Sequence, residues 1–287
     1  MSKVAIMTDS TACIPRELES KYDIAVVPLL IVFDGKSYRD GVDISADEVY
    51  RIMRNTDKLP TTSVPSPVDF LEVYRRLGQK TESILCVALS SLQSKTFDAA
   101  VIAKEMAKEV IPNTAIEVID SRITAGALGL VVLEAARVAS HGAELAQVAE
   151  AARRMIPRVN LIAMLDTLYY LAKGGRIGKA SAWAGSLLSL KPILEASTST
   201  GNTEALDRPR TKAKAVKRLL EIMAERVGNS PVHVLVHHAG VPEEGEQLKA
   251  QVASRFDCAE LYLTEFTPLM GAHTGPGVLA LSFYAES

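Results

Sequence analysis

The sequence predicts an α/β protein of two domains. Residues 1–157 form an N-terminal three-layer α/β/α domain with a mostly parallel sheet, and residues 158–287 a C-terminal α/β domain with a mixed sheet and helices. Three observations carry this expectation. Short runs rich in Val, Ile and Leu alternate with segments of helical periodicity through the first half. Several of those runs end in hydroxyl-rich loops, at the carboxyl ends of strands where ligands of parallel sheets gather. After Pro157 the order of elements changes, and two strands follow each other around Gly201-Asn202. A chain of 287 residues, 48% of them apolar, is long enough to fill two cores.

Residues 4–8 are a short apolar strand that stops at Asp9-Ser10-Thr11, and Pro15 stands in the first turn of a helix. Residues 24–33 read as a single β-rich run, with Asp34-Gly35 turning it into a hairpin. Ser45 with Glu48 makes a capping box for a helix that carries Val49, Ile52 and Met53 on one side. Two prolines and four hydroxyls make residues 61–67 a loop, and Ser66-Pro67 starts the helix through Phe70, Val73 and Tyr74. A buried strand at 84–89 stops at Ser90-Ser91, before a helix at 93–110. The pattern repeats with a strand at 116–119, a stop at Asp120-Ser121, and helices at 124–140 and 145–156.

In the second half the expected order is a strand at 161–165, a short helix at 167–171, a glycine-punctuated turn at 174–178 and an apolar helix at 180–188 carrying Trp183. Strands at 192–196 and 203–206 precede a basic helix at 211–227, a strand at 232–238 and a helix after Pro242. A strand at 260–264, a tight loop at 271–277 and a last strand at 278–284 complete the chain. No internal repeat or low-complexity tract interrupts it.

A formal net charge of -2 with interspersed signs leaves no electrostatic footprint for nucleic acid. Cys13, Cys86 and Cys258 are far apart and in no metal-like spacing, which indicates a reducing compartment and no disulfide framework. The N-terminus lacks a signal-peptide pattern and no stretch approaches the ~20 apolar residues of a membrane span. A cytoplasmic protein with no stable membrane insertion is expected.

The familiar phosphate-loop, nucleophile-elbow, zinc-helix and dinucleotide signatures are absent. What remains is a set of neutral donors on loops: Thr62, Ser63, Ser90, Ser91, Ser94 and His273. Two chemistries use such a set. Ser90, Ser91 or Ser94 with His273 as base, oriented by Asp9 or Asp120, would make a serine-dependent hydrolase or acyltransferase. Alternatively, several hydroxyls without a cluster of cations suit a carboxylate held by neutral hydrogen bonds. Adjacent strand residues point to opposite faces, so His237 and His238 do not read as a shared metal site. Arg176, projecting among glycines, suits contact with a partner.

The motifs Thr8-Asp9-Ser10-Thr11, Thr61-Thr62-Ser63-x-Pro65-Ser66, Ser90-Ser91 with Ser94 and Thr96, and Asp120-Ser121 stand in the first half. Lys173-Gly174-Gly175-Arg176-Ile177, Arg208-x-Arg210 and His273-Thr274-Gly275-Pro276-Gly277 follow in the second. In order and spacing this set resembles the DegV family of bacterial fatty-acid-binding proteins, over essentially the whole chain. The resemblance implies a non-catalytic carrier with no cofactor and no metal, whose ligand is a long-chain fatty acid such as palmitate, stearate or oleate. It implies carboxylate contacts from Thr62, Ser63, Ser94, His273 and Thr274, with Asp9, Ser10, Ser90, Ser91, Asp120, Ser121 and Gly275 on supporting loops. Residues 180–188 and 190–193 are candidates for the wall of the tail tunnel. A fatty-acid kinase is the implied partner, met by Arg176, which converts the bound acid to acyl phosphate for phospholipid metabolism. The sequence departs from the family pattern at Val64, often glutamine, and at Gln93 and Lys95, often leucine and glycine.

Overall fold

The computed structural model describes residues 3–56, 59–183 and 190–286. Its first half runs β1 (Ala5–Asp9), α1 (Arg16–Lys21), β2 (Ala25–Val27), β3 (Leu30–Phe33), β4 (Lys36–Arg39), α2 (Ala46–Asn55), β5 (Thr61–Ser63), α3 (Pro67–Gly78), β6 (Ser83–Ala88), α4 (Thr96–Val110), β7 (Ala115–Asp120), α5 (Ala125–Ser140) and α6 (Leu145–Met155). The second half runs β8 (Asn160–Met164), α7 (Tyr169–Lys173), β9 (Ile193–Ala196), β10 (Thr203–Asp207), α8 (Lys212–Val227), β11 (Val232–His238), α9 (Pro242–Arg255), β12 (Cys258–Glu265), α10 (Pro268–Thr274) and β13 (Leu279–Ala285).

Strands β2-β1-β6-β7 form an all-parallel sheet covered on both faces, which is why their sequences are apolar almost throughout. Alternation still sorts the side chains. Met7, Ile84 and Cys86 pack with Phe70, Tyr74 and Ala100 of α3 and α4, whereas Ile6, Leu85 and Val87 face α5 and α6. The second sheet has the order β10-β9-β8-β13-β11-β12 and is antiparallel except between β11 and β12. Ile162, Met164, Val234, Val236, Leu281 and Phe283 turn one of its faces to α8 and α9.

The other face of this sheet packs on α5, which also covers the first sheet. Twelve residues of α5 are therefore buried, and its sequence is apolar all round rather than striped. Close approach is needed: a Cβ on Gly126 would lie 2.2 Å from Nε2 of His237 on β11. A small antiparallel sheet, β4-β3-β5, projects from the first half.

Five expectations are corrected. The run 24–33 is two strands in two sheets, because Pro28 cannot continue the ladder. Residues 61–63 are a strand rather than a loop, since β3 offers them an antiparallel edge. The helix expected at 93–110 begins at Thr96, and Gln93 and Ser94 donate instead to the Ser90 carbonyl in a turn. Residues 271–274 close α10, with Pro268 in its first turn; Gly271 fits there because a Cβ would come within 2.5 Å of the Tyr50 hydroxyl. Of the helix expected at 180–188, residues 178–183 are a 3₁₀ segment and 184–189 lie outside the described residues.

Candidate functional site

A cavity open to solvent, about 850 Å³ with the open solvent counted in, lies where the small sheet, the loops of the first half and the second sheet meet. Its floor follows from strand alternation. Leu161, Ala163 and Leu165 line it from β8 and the residue after it, and Leu194 and Ala196 from β9, while Ile162, Met164 and Ile193 point into the α8 core. Leu29, Leu89, Leu171, Phe266, Leu269 and Met270 complete an apolar wall. These lining residues were not singled out from the sequence, because the run 161–165 is apolar throughout and does not distinguish its two faces.

Polar groups also line the cavity, Thr11, Thr124, Glu195 and Thr203 among them. Thr62 and His273 are joined by a 2.9 Å hydrogen bond between Oγ1 and Nε2, and Ser94, Gln93, Thr274 and Arg176 also line the cavity. Burial first, and then the Arg176 charge, pull the His273 imidazole down from 6.5 to about 4. It is therefore neutral at physiological pH and offers one N–H and one acceptor. Arg176 is the only cation lining the cavity among the described residues, and its guanidinium donates to the Gly174 carbonyl at 2.8 Å. Thus Arg176, read from sequence as a partner contact, also borders the head of the cavity.

The supporting residues hold the loops. Asp9 is fully buried and accepts from the Thr11 amide at 3.0 Å, the Thr11 hydroxyl at 2.5 Å and the Leu89 amide at 2.8 Å. Burial pushes its carboxyl up, and these three donors oppose the rise. Ser10 accepts from the Leu29 amide, and Ser121 donates to the Ile123 carbonyl. Asp120 takes the Ser91 hydroxyl at 2.5 Å together with the amides of Ser91 and Arg122. Gly275 ends α10 against Tyr170, whose ring would be 2.1 Å from an added Cβ.

Not every candidate reaches the cavity. Ser63 is exposed and does not line it, because it follows Thr62 on a strand and points to the other face. Thr274 lines it but donates its hydroxyl to the Met270 carbonyl of its own helix. The serine constellation is not assembled: Ser90 donates to Gly201, Ser91 to Asp120, and Ser94 pairs with Thr96 at 2.8 Å. His273 bonds to Thr62 and, among the described residues, to no carboxylate. A nucleophile, its base and the base's orienting acid are thus not in contact, and the hydrolase reading is not favoured. No group of three His, Cys, Asp or Glu side chains able to hold a metal is found among the described residues.

The family model described as an uncharacterised protein of the DegV family matches residues 3–286. The chain belongs to the DegV family. A DegV domain-containing protein from Streptomyces coelicolor is 37% identical over 280 residues, 97% of each chain. A DegV family protein from Thermus thermophilus, whose structure is described as fatty acid binding, superposes with a TM-score of 0.91 at 30% identity over 100% of both chains. A stearic-acid-binding protein from Eubacterium ventriosum gives 0.90 at 28% identity, covering 99% of this chain and 98% of that one. The two-sheet α/β architecture is thus that of DegV structures across their full length. No described helix is long and apolar enough to cross a membrane.

Proposed function

We propose that this DegV protein is a non-catalytic cytoplasmic carrier that binds a long-chain fatty acid such as palmitate, stearate or oleate. The tail lies along the apolar wall of the cavity, chiefly on residues 158–287, and the carboxylate meets Thr62, Ser94 and His273. One observation supports the reading: a largely apolar cavity with the hydrogen-bonded Thr62–His273 pair in its wall. Fatty acid binding by the Thermus and Eubacterium relatives supports it.

Burying about 14 methylenes at ~0.8 kcal/mol each is worth on the order of 11 kcal/mol before the costs of association. The tail therefore supplies affinity and the head contacts supply orientation. Neutral donors leave a carboxylate oxygen free to attack the terminal phosphorus of a nucleotide held by a partner kinase. The acid then leaves as acyl phosphate, the kinase keeps the nucleoside diphosphate, and the product feeds phospholipid metabolism. Arg176, exposed at the cavity head, is the residue we assign to the kinase contact.

Native mass spectrometry of the purified protein is the direct test. A co-purifying C16–C18 acid, or stoichiometric uptake on titration, is expected; a protein that takes up no acyl chain contradicts the proposal. With a fatty-acid kinase and ATP, Arg176→Glu should retain the acid and lose phosphorylation. Equal phosphorylation by the variant would remove Arg176 from the interface.

A further inference from the structure

Helix α4 buries Ala99, Ala103 and Ala107, while Ile102, Met106 and Val110 on its flank are 52%, 37% and 46% exposed. Four residues apart, these three form one apolar stripe along the helix. Its direction follows from the neighbours of α4. On the other flank the Ala100 carbonyl accepts from the Tyr74 hydroxyl of α3 at 3.2 Å. Ala100 stands about 160° round the helix from Ile102 and about 120° from Met106, so the stripe faces away from α3. Since α3 covers β2 and β6 while α4 covers β6 and β7, the side away from α3 is the side beyond β7.

β7 ends the order β2-β1-β6-β7 and has no second neighbouring strand among the described residues. The Ala115 amide donates to the Glu82 carbonyl and the Ser121 amide to the Ala88 carbonyl, so odd-numbered residues of β7 bond towards β6. The N–H and C=O groups of Ile116, Val118 and Asp120 therefore point out of the sheet. Such an edge is a template for another strand, and the stripe of α4 overhangs it. The charges beside the stripe cancel: Lys95, Lys104 and Lys108 balance Asp98, Glu105 and Glu109, with Lys95–Asp98 and Lys108–Glu105 already paired. An identical surface can approach without net repulsion.

From these features we infer that β7 is an interface for a second copy of this chain, the two edges pairing antiparallel about a two-fold axis at Val118. The two four-stranded sheets then become continuous, and the outward groups of Ile116, Val118 and Asp120 all find partners. In this register Glu117 opposes Ile119; a two-fold axis at Glu117 would set two carboxylates against each other. Strands stand about 4.8 Å apart, so α4 and its copy, each above a β6–β7 pair, come about two strand spacings apart. That is the 8–10 Å at which helices pack, roughly, and it brings the two stripes together. None of the interface residues lines the cavity, so the inference does not rest on the fatty-acid reading.

Sedimentation equilibrium of the full-length protein over about 1–100 μM tests this. The mass should rise with concentration from 30.9 kDa towards twice that value, and amide exchange at Ile116 and Val118 should slow in parallel. Met106→Lys, at an exposed position, should weaken self-association about tenfold or more. Val118→Pro removes an outward N–H from an edge that accepts proline and should do the same; Met106→Lys decides if that variant does not fold. A monomer throughout, a dimer without protection at Ile116 and Val118, or undiminished self-association in the folded variants would each overturn the inference.

Discussion

Thr62 and His273 stand 211 residues apart in the chain and share a hydrogen bond of 2.9 Å between Oγ1 and Nε2. Thr62 belongs to the small sheet and His273 to the last turn of α10, so the contact ties two walls of the cavity together. The pair fixes the ring and presents a hydroxyl and an imidazole to the cavity.

Thr62→Val keeps the shape and deletes the hydroxyl. Fatty acid affinity should fall about five- to tenfold, the worth of one hydrogen bond, with little change in thermal stability. Displacement of a fluorescent fatty acid measures this. In a double-mutant cycle with His273→Gln the two losses should not add, and strict additivity would argue that the residues act independently.

Gly174 is the floor beneath the imidazole, and a Cβ there would lie 2.8 Å from Nδ1 of His273. Gly174→Ala should push the ring off Thr62 and reproduce the binding loss of Thr62→Val while the circular dichroism spectrum is retained. An alanine variant with parental affinity would show that ring position is not limiting.

Ala163 faces the cavity from the middle of the second sheet and is paired with Leu194 and Ala280. Ala163→Phe fills the tail path, at an overpacking cost of about 1–3 kcal/mol in stability. Long acids should be excluded and short ones retained, as read by competition with acids of graded length. Unaltered affinity for C16 and C18 acids would place the tail elsewhere.

Acid should destabilise the protein partly through His273. Its imidazole is lowered from 6.5 to about 4 by burial and then by Arg176, so between these values the unfolded chain takes up a proton that the folded chain refuses. The contribution is present above pH 6.5 and lost as pH falls towards 4. His237, lowered to about 3 by burial, acts in the same sense. Asp40 acts in the opposite one, since the folded chain takes its proton between about 6 and 3.8. Relative to the parent, His273→Gln should therefore gain up to about 3 kcal/mol between pH 6.5 and 4 in urea titrations. A pH-independent difference would mean that His273 titrates in the folded protein as it does in the unfolded chain.

Local chemistry made much of the fold legible. Ser45 with Glu48 does form a reciprocal helix cap, Ser66-Pro67 does start α3, and β11 spans the residues its apolar run indicates. Such features depend on neighbours a few positions away. The apolar lining was less legible, because Leu161 and Leu165 look like ordinary core until the cavity they line is seen.

By itself the sequence determined the alternation of strands and helices, the reversal of pattern after Pro157 and the residue types able to hold a carboxylate. Only the tertiary structure decided which of them meet. It turned Thr62 towards His273 and Ser63 away, tied Ser90 and Ser91 to Gly201 and Asp120, and made residues 271–274 a helix end rather than a loop. The physical reason is range: periodicity and capping are written within a few residues. Facing, burial and partner choice are set by contacts between segments that only packing brings together.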